Sequence, residues 1–171
     1  TAYISLNQMA KASELVDKVF RQLDSAEAHL VVGAFYLAAR DFPKAISELS
    51  AAAQLNPRLP TVHSQLGNAY LFSGNRERAI KEYFAEVEIN PRDFSAFARL
   101  GWLYRDDGRL DEAAGFLKKA LELRPNDSNM LYQLAQLMQT QGSPQEAVDL
   151  LERVVRQTPD FRAAHVLLAR L

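Results

Sequence analysis

A fixed 34-residue period runs through this chain and constrains its fold more than any other feature. The step from Pro57 to Pro91 is 34 residues, and the same step leads on to Pro125 and Pro159. Two further series keep this period: Ala45, Ala79, Ala113 and Ala147, and Gly33, Gly67, Gly101 and Ala135. A period of this size is typical of stacked supersecondary units, each of which packs on its neighbours. The sequence therefore predicts a repeat protein.

Each unit is predicted to contain two helices. In the second unit, apolar residues between positions 62 and 87 fall on one face of each of two segments, which the sequence SGN at 73–75 separates. The periodic prolines disfavour helix in the residue before them and so end the second helices. Residue types that cap helix N-termini precede both kinds of helix. These are Asp41, Asn75 and Ser143 before second helices, and Asp93, Asp127 and Asp160 before first helices.

Small residues recur inside both predicted helices. A glycine in a helix interior costs about 0.5–1 kcal/mol relative to alanine, so a periodic glycine needs a structural reason. Close approach of the paired helices supplies one, and we expect the periodic alanines to lie opposite the glycines. Tyr36, Tyr70, Tyr104 and Met138 are expected to fill the remaining volume.

The repeated positions resemble those of a known family. Phe97, Leu100, Gly101 and Tyr104, followed by Ala113, Leu117 and Pro125, resemble the signature of the tetratricopeptide repeat. This resemblance implies an all-α fold, a right-handed α-solenoid of stacked antiparallel helix pairs. It covers four repeats, residues 26–59, 60–93, 94–127 and 128–161. We expect an N-terminal helix or degenerate half repeat at 1–25, and a capping helix or the start of a fifth repeat at 162–171.

Two sets of residues suggest chemistry at first sight. Four carboxylates surround Gly108: Asp106, Asp107, Asp111 and Glu112. A calcium loop needs ligands at alternating positions around one turn, whereas these lie on two predicted helix ends, so we interpret them as scaffold. The three histidines share one repeat position, and we interpret them as packing residues: His29, His63 and His165. The chain has no cysteine, and no nucleophile has a recognisable activating base. The sequence predicts no enzyme, no metal and no cofactor.

Charge and hydropathy limit the partners. The chain has 20 basic and 21 acidic residues, and blocks of about 34 residues stay within about two charges of neutral. We therefore predict no nucleic-acid partner, because phosphate backbones need a basic stripe. No apolar run reaches about 18 residues, so no membrane insertion is predicted. The compartment stays open, with cytoplasm and periplasm both compatible.

The resemblance implies a binding surface on the first helices, which line the concave side of such a stack. Carried over by repeat position, it implies these partner-binding residues: Gln65, Asn68, Phe72, Arg99, Trp102, Arg105, Tyr132, Gln133 and Gln136. Amide side chains pair with the backbone of an extended peptide without reading its sequence, and Trp, Tyr and Arg are enriched at binding hot spots. The alternative is that Trp102 is half-buried scaffold under the stems of Arg99 and Arg105. Of the clamp with which some family members hold a terminal carboxylate, only Arg99 matches.

The predicted function is a protein–protein interaction scaffold that binds a peptide in this groove. The alternative is a structural module that self-associates, or continues a longer array, through apolar ends. The groove positions of the first repeat are apolar, including Leu30, Val31 and Leu37, and residues 5–23 form an amphipathic pattern that is expected to cover them. Val166 and Leu168 leave a second apolar end, so 162–171 is expected either to cap the stack or to continue it.

Overall fold

A computed structural model describes residues 24–171, in which nine α-helices and no strands are found. They fall into two bodies, each considered by itself, with the boundary between Pro91 and Arg92. The N-terminal body contains α1 (Ala26–Ala38), α2 (Phe42–Leu55), α3 (Val62–Phe72) and α4 (Arg76–Ile89). The C-terminal body contains α5 (Phe94–Asp106), α6 (Leu110–Leu123), α7 (Ser128–Thr140), α8 (Pro144–Gln157) and α9 (Arg162–Leu168). The predicted all-α class is confirmed, while the helix predicted over 5–23 lies outside the described residues.

Four of the predicted helix caps are confirmed. The side chain of Asp41 accepts a hydrogen bond from a main-chain amide at the start of α2, and that of Asn75 does so at α4. Asp93 and Asp127 do the same for α5 and α7. Each bond satisfies one of the amide groups that lack a partner within the first turn of a helix.

Two predicted caps do not form. Ser143 occupies the N-cap position of α8, but its side chain makes no capping hydrogen bond. The prediction for Asp160 is wrong, because α9 begins at Arg162 and Phe161 is its N-cap residue. Because the helix begins one residue later than predicted, its N-cap residue is Phe161, whose side chain has no hydrogen-bond acceptor.

The start of α3 uses a different cap. Leu59 occupies the repeat position of the capping residue Asp93, and a leucine side chain cannot accept a hydrogen bond. Instead, the carboxylate of Glu86 in α4 accepts hydrogen bonds from the main-chain amides of Thr61 (3.0 Å) and Ser64 (3.2 Å). Glu86 is fully buried, and a carboxylate at a helix N-terminus interacts favourably with the helix dipole. In the other repeats its position is apolar: Ala52, Ala120 and Val154.

The predicted close approach of paired helices is confirmed at the periodic glycines. A Cβ atom on Gly33 would lie 2.5 Å from Cγ of Leu49, and one on Gly67 would lie 2.8 Å from Cε1 of Tyr83. At Gly101 the nearest atom would be Cδ2 of Leu117, at 2.7 Å. The expected partner was wrong, because the side chain over each glycine lies four residues after the periodic alanine. Those alanines are themselves fully buried: Ala45, Ala79, Ala113 and Ala147.

The large residues of the first helices fill the interior largely as predicted. Tyr36, Tyr104 and Met138 are buried, and Tyr70 is half-buried. In the N-terminal body, Tyr36 packs in one cluster with Leu49.

The turn within each pair requires a left-handed backbone conformation. Gly74, Gly108 and Gly142 occupy it with φ of 86°, 74° and 76°. In the first repeat the same position is Arg40, with φ of 63°. A residue with a Cβ atom is strained in this region.

We predict that Gly101→Ala destabilises the protein by about 1–3 kcal/mol, because the new methyl group would overlap the Leu117 side chain. Gly115 in α6 provides a matched control, since a Cβ atom there would meet nothing within 4 Å. Gly115→Ala is expected to stabilise the protein by about 0.5–1 kcal/mol through helix propensity. Urea unfolding followed by circular dichroism measures both. Equal effects of the two substitutions would contradict the close approach.

We also predict that Arg40→Gly stabilises the protein by about 0.5–1 kcal/mol. Removal of the Cβ atom relieves the strain at positive φ, and the added freedom of glycine in the unfolded chain offsets part of that gain. The same unfolding experiment tests it, with Gly142→Ala as the opposite change in the equivalent turn. If the Arg40→Gly protein is less stable than wild type, the arginine makes a contact whose stabilising free energy exceeds the backbone strain.

Candidate functional site

The predicted site residues of the N-terminal body lie along α3. Asn68 is half-buried, and its Oδ1 atom accepts a hydrogen bond from the hydroxyl of Tyr83 at 2.9 Å. Phe72 lies at the end of α3 with 52% of its surface exposed, and its ring stacks on Phe42 with 6.1 Å between ring centroids. Gln65 is half-buried one turn before Asn68. This group therefore presents amide and aromatic groups on one helix.

Three other predicted residues meet in a depression of the C-terminal body. Arg99 and Trp102 from α5 and Gln133 from α7 line an open pocket of about 400 Å³, which we call the Trp102 pocket. Ser95 and Ala98 complete its α5 side. Trp102 is half-buried and borders the open space. The arrangement supplies a flat apolar surface beside a cation and an amide.

A second depression lies between α7 and α9. It measures about 510 Å³ and contains Tyr132 and Gln136 from α7, with Arg162, Val166 and Arg170 from the C-terminal segment. We call it the Val166 pocket. The Gln136 amide donates a hydrogen bond to the Tyr132 hydroxyl at 3.1 Å. The Tyr132 ring packs against Phe161, with 5.2 Å between centroids.

The α9 side of the Val166 pocket was missed by sequence reasoning, which predicted a capping helix or the start of a fifth repeat at residues 162–171 and assigned them no binding residue. The 34-residue period of the sequence already pointed to these residues. Val166 and Arg170 stand 34 residues after Tyr132 and Gln136, which were predicted as binding residues. Arg105, also predicted, is half-buried and lines neither the Trp102 pocket nor the Val166 pocket.

The carboxylates around Gly108 lie at a turn, as predicted. Asp106 ends α5 and Asp107 is its C-cap residue. Glu112 forms an ion pair with Arg109, and Asp111 accepts a hydrogen bond from the Gln141 amide at 2.6 Å. Within residues 24–171, no cluster of three or more histidine and acidic residues has the arrangement needed to hold a metal ion. These contacts are structural, between a turn and its neighbours.

Two of the histidines are half-buried, and their ring tips hydrogen-bond to a glutamate of the paired helix. Nδ1 of His29 lies 2.6 Å from Oε2 of Glu48, and Nδ1 of His63 lies 2.7 Å from Oε2 of Glu82. His165 is exposed, and its Nε2 atom lies 2.8 Å from the carbonyl oxygen of Pro159. Apolar residues replace both members of the pair in later repeats: Phe97 with Phe116, and Leu131 with Leu150.

These hydrogen bonds raise the pKa of both imidazoles above their ordinary value. For His29 the main cause is the hydrogen bond to Glu48, which outweighs the opposing effect of burial, and Asp24 adds to it. For His63 the main cause is the hydrogen bond to Glu82, again opposed by burial, with further contributions from the Pro57 carbonyl and from Glu86. Protonated histidine is thus stabilised in the folded N-terminal body.

Comparisons with known proteins agree on one repeat architecture. Two family profiles described as Tetratricopeptide repeat match residues 64–128 and 104–171. The crystal structure of MamA superposes with a TM-score of 0.81 at 19% identity, covering 93% of this chain and 94% of that chain. YrrB, described as a TPR protein with an unusual peptide-binding site, gives 0.76 at 20% identity, with 98% and 86% covered.

TTC0263, a thermophilic TPR protein of Thermus thermophilus, gives a TM-score of 0.69 at 21% identity, covering 99% of this chain and 93% of that chain. At these identities the structural likeness shows the fold alone. No curated protein matches the chain in sequence. Among the helices of residues 24–171, none combines the length and the apolar character that crossing a membrane requires.

We predict that the free energy of unfolding falls as pH rises from about 6 to about 8. A histidine whose pKa is raised by folding contributes stability below its unfolded pKa, and this contribution is lost as pH rises through the folded pKa. In repeat four both members of the pair are leucine. A variant with leucine at both histidine sites and at their glutamate partners is expected to lose this dependence of the unfolding free energy on pH: His29→Leu, Glu48→Leu, His63→Leu and Glu82→Leu. Urea unfolding at each pH measures it. An unchanged slope would show that other groups cause it.

Proposed function

Because the chain belongs to the tetratricopeptide repeat family, whose profiles together match residues 64–171, we propose that it binds an extended peptide segment of a partner protein on its first helices. Repeats of this family are protein–protein interaction scaffolds and are generally non-catalytic. The proposal names the surface and the kind of ligand. Its centre is the C-terminal body, where α5, α7 and α9 border two open depressions.

The observation that carries the proposal is the Trp102 pocket. A half-buried tryptophan beside an arginine and a glutamine, at the edge of an open depression, has the composition of a binding hot spot. Tryptophan presents a large flat surface with only two side-chain torsions to order, so little side-chain entropy is lost when a ligand covers it. Arg99 and Gln133 add polar groups at the border of the same space.

Amide side chains along the surface suit the backbone of an extended peptide. Gln133 and Gln136 each carry a donor and an acceptor on α7, and a peptide in extended conformation exposes both kinds of group. On α3, Asn68 uses its oxygen to accept from Tyr83, while the NH₂ group of the same amide takes no part in that bond. We propose that Gln65, Asn68 and Phe72 make contacts of the same kind in the N-terminal body.

A second candidate function is self-association through exposed apolar residues. Val166 is 51% exposed in α9, and Val31 is 48% exposed in α1. In each body, an exposed apolar side chain of this kind offers a starting point for association with a second copy. This candidate requires no peptide ligand, so the two functions can be separated in one set of samples.

We predict that peptides selected from a random displayed library bind at Trp102. This is the only tryptophan of the chain, so its fluorescence emission reports directly on the pocket and is expected to shift on binding. In fluorescence anisotropy with labelled peptides, Trp102→Ala is expected to weaken binding about 30-fold, or about 2 kcal/mol, with little change in melting temperature.

Lys118→Ala, on the exposed surface of α6, is the matched control and is expected to bind like wild type. Selected peptides that bind wild type and Trp102→Ala equally would place binding away from the Trp102 pocket. If no peptide is selected and the mass from light scattering rises with protein concentration, the self-association candidate replaces the proposal.

A further inference from the structure

Charge is segregated between the first and second helices of the C-terminal body. On the first-helix side, α5 carries Arg99 and Arg105 with a single carboxylate, Asp106, and α7 carries no charged residue. The C-terminal segment adds Arg162 and Arg170 and no carboxylate. Within these helix bounds and the C-terminal segment there are four arginines and one carboxylate, and the carboxylates of Asp93, Asp107 and Asp127 lie at the helix ends.

The second helices have the opposite balance. α6 contains three carboxylates and two lysines: Asp111, Glu112, Glu122, Lys118 and Lys119. α8 contains three carboxylates and two arginines: Glu146, Asp149, Glu152, Arg153 and Arg156. Within their helix bounds α6 and α8 therefore each have one more carboxylate than cations, and Arg109 and Arg124 lie at the two ends of α6. Charge arranged in this way selects and orients partners more than it adds affinity.

The Val166 pocket concentrates this positive charge around an apolar centre. Arg162, Val166 and Arg170 are spaced by four residues, which places them on one side of the segment, and all three border the same depression. Val166 is 51% exposed, and the Tyr132 ring lies across from it on α7. Both arginines are exposed, and neither guanidinium has an ion-pair partner within residues 24–171.

We infer that the partner segment is acidic, with an apolar side chain that enters the Val166 pocket and flanking aspartate or glutamate residues that pair with Arg162 and Arg170. This inference rests on the proposed function, because it names the chemistry of the peptide bound on the first helices. Guanidinium groups bind carboxylates through two parallel hydrogen bonds, which adds geometric selectivity to the charge attraction.

The pocket favours an acidic protein segment over a nucleic acid. Its centre is aliphatic and aromatic, formed by Val166, Leu167 and Tyr132, and accommodates an apolar side chain. Binding to a phosphate backbone draws on many cations along a stripe, whereas the two arginines here are separated by an apolar residue. The amides of α7 between the two depressions match a peptide backbone better than a chain of phosphates.

The test uses the random displayed library and the full chain. Selected peptides are expected to be enriched in aspartate and glutamate on either side of a leucine, isoleucine or phenylalanine. For a synthetic selected peptide, replacement of its acidic residues by glutamine is expected to weaken binding about tenfold or more. The double variant Arg162→Gln, Arg170→Gln is expected to produce the same loss. The glutamine peptide is expected to bind wild type and this variant equally.

A second double variant, Lys118→Gln with Arg156→Gln, makes the same charge change on α6 and α8 and is expected to leave binding unchanged. A labelled oligouridylate is measured in parallel. The inference is overturned if Trp102-dependent peptides show no acidic enrichment, a result that leaves the proposed function standing. It is also overturned if the oligouridylate, and no acidic peptide, depends on the two arginines. Failure to select any Trp102-dependent peptide removes the proposed function and the inference together.

Discussion

The contact between a periodic glycine and the large side chain across from it sets the geometry of the first three helix pairs. Gly33, Gly67 and Gly101 each lie under a leucine or tyrosine of the following helix, at distances that leave no room for a Cβ atom. Because this contact fixes the distance between the two helices, the remaining residues of the first helix keep constant directions.

Most of the local structure could be predicted from the sequence, because it depends on short-range chemistry repeated at a fixed step. Asp41, Asn75, Asp93 and Asp127 cap helices for reasons contained within four residues, and the glycines of the turns follow from backbone sterics. The partner of each glycine could not be predicted, since it depends on how two helices cross. The pairing of His63 with Glu82 was missed for the same reason: its members are 19 residues apart and meet only across the helix pair.

The candidate site was predicted in part. Arg99, Trp102 and Gln133 were expected on one surface and do line one pocket, and Tyr132 and Gln136 line the next. Net charge was summed over whole repeats, and such sums do not distinguish the two helices of a pair. Such sums therefore did not reveal that Arg162 and Arg170 border one depression. Residues 162–171 were predicted as a cap or the start of a fifth repeat, and the predicted binding positions were not carried over to Val166 and Arg170.

The buried Glu86 links the formation of two neighbouring helices. α5 and α7 carry capping aspartates immediately before their first turns, so these ends can be satisfied as soon as the local chain becomes helical. α3 obtains its cap from α4, a helix that follows it in the sequence and must already be docked. Helix initiation is the unfavourable step of helix formation. α3 and α4 therefore assemble as one cooperative element, and local opening of α4 releases the first turn of α3 with it.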